Sequence, residues 1–77
     1  MDLLTACQTY FNDGAEATID KITILSYPAG MPDEDDYEPY EVNVRIDFKD
    51  ETVSDWKLTR NPDNGSVLDA YCYNDVI

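Results

Sequence analysis

Tyr40-Glu41-Val42-Asn43-Val44-Arg45-Ile46-Asp47-Phe48-Lys49 decides how this chain folds. Its apolar and polar side chains alternate without a break. A strict two-residue period means an extended strand with one buried face and one wet face. Tyr40, Val42, Val44, Ile46 and Phe48 form the buried set, and Tyr40 reads as structural. Asp50-Glu51 follows as a tight turn into residues 52–60. There Trp56 and Leu58 share a face with Thr52 and Ser54, so Trp56 is expected in the core. Asn61-Pro62-Asp63-Asn64-Gly65 is a second turn, because Asn-Gly tolerates the positive φ that tight hairpin turns require. Residues 66–73 return as a further strand. Leu68, Ala70 and Cys72 are expected inward, and Asp69, Tyr71 and Tyr73 outward.

Upstream of this block, residues 18–27 are rich in β-branched side chains and predict one more strand. Its pattern is less regular. Ile22 and Ile24 point one way, while Ile19, Leu25 and Tyr27 point the other. A bulge, a shorter strand or cover on both faces each accounts for that. Pro28 to Pro32 ends it. Residues 2–12 predict a short helix, with Leu3, Leu4, Cys7, Tyr10 and Phe11 as one apolar stripe. Asp2 is placed to cap it, and Asn12-Asp13-Gly14 to stop it. A second helical turn through Ala15-Glu16-Ala17 is compatible with the sequence. The expected architecture is α+β: a short N-terminal helix packed on one face of a four-stranded antiparallel sheet, ordered α-β-β-β-β, with sequence neighbours paired.

The 77 residues make a single acidic domain spanning 1–77. Seventeen Asp and Glu oppose five Lys and Arg, with no histidine, for a formal charge of −12. Solubility asks for a magnitude of only about 2–8 in a small domain, and self-repulsion beyond that destabilises the compact state. Disorder is argued against by a 43% hydrophobic content that includes Trp56, two phenylalanines and six tyrosines. No apolar run reaches the ~18 residues of a membrane span. Met1-Asp2-Leu3-Leu4-Thr5 lacks a positive segment and a long apolar stretch, so no secretory signal and a cytoplasmic location are expected. So acidic a surface is repelled by anionic lipid and by nucleic acid backbone. Neither membrane nor direct nucleic acid is therefore an expected partner, and a basic protein is. Cys7 and Cys72 match no zinc spacing and read as buried free thiols, a disulfide between them being unsuited to a reducing cytosol.

Catalytic chemistry finds no foothold. There is no histidine to act near neutral pH, no glycine-rich phosphate loop and no nucleophile elbow. The chain is read as a non-enzyme without a cofactor. Asp33-Glu34-Asp35-Asp36-Tyr37-Glu38 is the feature left to explain. An EF-hand loop starting at Asp33 would need Gly at its sixth position and Glu at its twelfth. Glu38 and Val44 stand there, so no metal site is assigned. Fully extended, the six residues reach at most about 21 Å, a charge roughly every 4 Å. A single nucleic acid strand presents one per ~3.4 Å, so a surface built to hold phosphates is attracted to this run as well.

Asp33, Glu34, Asp35, Asp36, Tyr37, Glu38 and Glu41 are accordingly the expected partner-binding residues, with Tyr37 packing against the target. Asp47, Asp50, Glu51, Asp55 and Asp69 can extend the acidic surface. Arg45, Lys49 and Lys57 on the outer sheet face can pair with Asp47, Asp55 or Asp69, which leaves that face mixed in sign. In size and charge the chain resembles small acidic phage proteins of the anti-CRISPR and anti-restriction kind. That resemblance implies an inhibitor of a basic nucleic-acid-binding protein or nuclease. Two other readings fit the same residues: an immunity protein that neutralises a basic nuclease toxin, and a non-enzymatic interaction domain whose acidity only disperses it. An exposed edge strand can also pair two copies into a homodimer.

Overall fold

A computed structural model, describing residues 2–11, 19–32 and 37–77, places one helix before four strands. These are α1 Leu3–Phe11, β1 Ile19–Ser26, β2 Tyr40–Phe48, β3 Val53–Arg60 and β4 Val67–Asp75. The strands form one antiparallel sheet in the order β1-β2-β3-β4. The helix lies against β1 and β4 on one face. The expected α-β-β-β-β architecture is the observed one. The helix stop at Asn12-Asp13-Gly14 and the turn at Ala15-Glu16-Ala17 lie outside the described residues.

β2 obeys its alternation. Val42, Val44 and Ile46 are buried, and they pair in register with Leu58, Trp56 and Ser54 of β3. Leu58 is fully buried between Val42 and Ala70 of its two neighbouring strands. Trp56 packs at the margin of this core, edge-on to Phe11 with ring centroids 5.0 Å apart. Its indole nitrogen donates to Ser54 Oγ at 2.7 Å, which satisfies a half-buried polar group.

The helix is capped as expected. The Thr5 amide donates to Asp2 Oδ1 at 2.7 Å, and the Ala6 amide to the Asp2 carbonyl at 2.9 Å. Its seam differs from the expected stripe. Ala6 and Cys7 are the buried residues, with Leu3 and Phe11 packed on the core, while Leu4 and Tyr10 stay exposed. The methyl of Ala6 lets the backbone sit close to the sheet, and the larger Leu4 and Tyr10 flank the contact.

Bulges explain where the two outer strands depart from simple alternation. In β1 the register skips at Asp20 and again at Leu25. The first skip brings Ile19 onto the same face as Ile22, opposite Phe48 and Ile46, so Ile19 is buried and not turned away. Ile24 shares that face yet stays exposed, as does the bulged Leu25. Tyr27 packs against the core.

In β4 the register skips at Leu68 and Tyr73. Leu68, expected inward, is therefore 50% exposed, and Val67 fills the core position instead. Each bulge turns two residues against one partner and interrupts the ladder. Both free edges of the sheet carry such interruptions, a common guard against edge-to-edge pairing.

The turns follow their residues. Lys49-Asp50-Glu51 closes β2 onto β3 as a three-residue loop, with the Glu51 amide donating to the Phe48 carbonyl and the Phe48 amide to Thr52. Glu51 holds φ of 72° there, the left-handed position such loops usually give to glycine. In the β3–β4 turn Asn61 Oδ1 accepts from the Asp63 amide, and Gly65 takes φ of 77°. Arg60 donates through Nε and Nη2 to the Gly65 carbonyl, locking the turn to the end of β3.

Candidate interaction surface

Opposite the helix, no element among the described residues covers the sheet. β2 contributes Glu41, Asn43, Arg45 and Asp47, and β3 contributes Asp55, Lys57 and Thr59. Thr23 and Lys21 of β1 stand across from Arg45 and Asp47. Asp69, Tyr71 and Asn74 stand across from Thr59, Lys57 and Asp55.

The charges on this face are matched to one another. Arg45 forks onto Asp55, with Nε to Oδ1 at 2.8 Å and Nη2 to Oδ2 at 3.1 Å. Asn74 Nδ2 adds a third donor to Asp55 Oδ2 at 3.1 Å. These groups roof the carboxylate so well that Asp55 is only 4% exposed although it points away from the core. The Arg45 hydrogen bonds, followed by that from Asn74, hold its carboxyl below the ordinary range, and the pairing raises Arg45 in turn. Charge-assisted, bidentate geometry of this kind is the strong form of the contact.

Lys57 pairs with Glu41, Nζ to Oε2 at 3.1 Å. The sequence suggested Asp47, Asp55 or Asp69 as its partner. The register puts Lys57 opposite Asn43, so Glu41 is its diagonal neighbour and within reach. Lys49, expected on this face, lies in the turn beyond β2.

Of the expected partner-binding residues, Asp33, Glu34, Asp35 and Asp36 lie outside the described residues. Tyr37 and Glu38 are exposed, Tyr37 at 81%. Glu41 is half-buried and already bound to Lys57. Glu38, Pro39, Tyr40 and Glu41 also line a small hollow of about 170 Å³ with residues 29–32, where the two described ends of the β1–β2 connection meet.

The tyrosines of β4 do face outward, as their alternation implied. Tyr71 is 64% and Tyr73 47% exposed. With Pro28, Asn43 and Lys57 they line a shallow depression of about 270 Å³ on the open face. Nothing local in the sequence joins Pro28 to residues 71 and 73. They meet because β1 to β4 lie side by side and the β1–β2 connection starts on this side of the sheet.

Cys7 and Cys72 are both free thiols. Cys7 is fully buried, and burial pushes its thiol up to about 11. Cys72 is only partly covered. Among the described residues no helix is long and apolar enough to cross a membrane. Comparison of the chain with known protein families, characterised proteins and solved structures finds no match.

Proposed function

We propose that this chain is a small acidic inhibitor that binds a basic nucleic-acid-handling protein by offering carboxylates where that protein expects phosphates. It would act in the bacterial cytoplasm, in the manner of phage anti-CRISPR and anti-restriction proteins. The observation that supports this reading is where the charge is compensated. On the open face Arg45 is matched by Asp55 and Lys57 by Glu41. The fold thus uses two of its five basic residues to neutralise its own sheet, while the run Asp33-Glu34-Asp35-Asp36-Tyr37-Glu38 contains no base at all. A run of carboxylates with phosphate-like spacing accelerates encounter with a cationic surface, and the exposed Tyr37 ring within it supplies contact area that slows release.

The test is competition. CRISPR effectors, restriction enzymes and nuclease toxins are each loaded with fluorescent DNA or RNA and titrated with the chain. Displacement from one of them, steeply weakened by added salt, is the expected result. Replacing Asp33, Glu34, Asp35, Asp36 and Glu38 together by their amides should slow association and leave the fold intact. Binding that leaves the nucleic acid in place, or whose affinity is flat with salt, refutes the mechanism.

A further inference from the structure

We propose that Asn64, in the β3–β4 turn, is a site of chemical modification guarded by the fold: its side-chain amide closes onto the Gly65 nitrogen, and is lost as ammonia, once the hairpin opens. The inference is independent of the function proposed above.

Asn64-Gly65 is the one Asn-Gly pair in the chain. Glycine has no Cβ to shield its backbone nitrogen from the side chain before it. Three residues upstream the same closure is impossible, because Asn61 precedes Pro62, which has no N–H to give up. At Asn64 the group to be attacked is already oriented. The Ser66 amide donates to Asn64 Oδ1 at 2.9 Å. That bond folds the side chain forward alongside Gly65 and polarises its carbonyl.

The nucleophile is what the fold withholds. The Gly65 amide donates to the Asn61 carbonyl at 2.7 Å, and its proton must leave before the nitrogen can attack. Other bonds hold this one in place. The Asn61 amide donates to the Ser66 carbonyl at 2.8 Å, and the Asp63 amide to Asn61 Oδ1 at 2.9 Å. Arg60 grips the Gly65 carbonyl through Nε at 3.0 Å and Nη2 at 2.8 Å. The nitrogen is released only when the turn opens, so the rate of modification follows the population of the open hairpin.

The reaction needs only hydroxide and water. Hydroxide takes the Gly65 N–H proton, and the nitrogen bonds to Asn64 Cγ. The Cγ–Nδ2 bond then breaks as Nδ2 takes up a proton and leaves as ammonia. Water opens the resulting succinimide at either carbonyl, giving aspartate or isoaspartate. Both products place a new carboxylate at residue 64, in a chain already at −12. Isoaspartate also lengthens the main chain of the turn by a methylene, so the bonds of Gly65 and Ser66 can no longer all re-form. A single opening is thereby made permanent.

The whole chain is incubated in mildly alkaline buffer with and without urea. Peptide mass mapping around residue 64 follows the gain in mass from amide to acid and separates isoaspartate by its elution. Conversion should be at least about tenfold slower without urea. Asn61→Ala removes the acceptor of the Asp63 amide. It should speed conversion of the folded chain and leave the rate in urea unchanged. Circular dichroism checks that this variant folds; if it does not, Arg60→Lys, which gives up the fork on the Gly65 carbonyl, serves the same comparison. Equal rates with and without urea, no conversion of Asn64 in urea, or a folded variant no faster than the unaltered chain overturns the inference.

Discussion

Leu58 and Leu68 are the same residue type on neighbouring strands, and the fold assigns them opposite weight. Leu58 has no exposed surface and lies between Val42 and Ala70. Leu68 is the extra residue of a bulge and is 50% exposed. Truncating a fully buried leucine to alanine costs about 2–5 kcal/mol, the transfer free energy plus the cavity left behind. Full burial of such a side chain is worth roughly 1.5–3 kcal/mol, so the half-buried Leu68 should lose only about 1 kcal/mol. A core of this size supplies at most about 3–5 kcal/mol of net stability, so Leu58→Ala should bring the domain close to unfolding.

The assay is urea denaturation followed by Trp56 fluorescence, in high salt to keep the variants folded. Near the melting point each kcal/mol moves the transition by roughly 4–8 °C for a domain of this length, so thermal melts give an independent measure. Leu58→Ala should drop by about 8 °C or more (~2 kcal/mol at ~4 °C per kcal/mol), and Leu68→Ala by much less. Equal losses at the two positions would mean that β4 pairs without the bulge and that Leu68 points inward after all. If Leu58→Ala does not fold at all, Ile46→Val, a milder cut at a fully buried site, should still cost about 0.5–1.5 kcal/mol and exceed any loss from Leu68→Val.

Asp55 ionises more readily folded than unfolded, because Arg45 and Asn74 donate to its carboxylate. A carboxyl depressed in this way stabilises above its unfolded value, and that stabilisation is lost as pH falls through the folded one. The stability gap between the unaltered chain and Asp55→Asn should thus be widest near neutral pH and shrink below about pH 4; a gap constant down to about pH 2.5 would rule the ion pair out as its source. Glu51→Gly relieves the left-handed backbone at φ 72° and should raise stability by up to about 1 kcal/mol, measured by the same urea transitions, whereas a loss would mean that the Glu51 side chain contributes more than its backbone costs. Moderate salt should raise the melting temperature by screening repulsion within a chain of charge −12; a fall on adding salt would show that attraction between opposite charges outweighs that repulsion.

The acidic run and the outward tyrosines of the candidate surface were legible from residue order alone, since one is composition and the other a two-residue period. The pairing of Glu41 with Lys57 was not. It depends on β2 and β3 aligning Lys57 with Asn43, a matter of register between segments that no local pattern encodes. For Asp55 the sequence offered Arg45 as one of several possible pairings, and register decided it: β2 and β4 on either side of β3 bring Arg45 and Asn74 together over the carboxylate.

The sequence by itself determined the helix, the four strands, the Asn61–Gly65 turn and the nearest-neighbour order, because periodicity, capping by Asp2 and the Asn-Gly turn act over a few residues. Only the tertiary structure decided where the strands slip. The bulges at Asp20, Leu25, Leu68 and Tyr73 settle which of several apolar side chains enters a core too small for all of them. That choice follows from packing between elements: Ile19 opposite Phe48, Val67 opposite Arg60 across the β3–β4 turn, and a helix seam narrowed by Ala6.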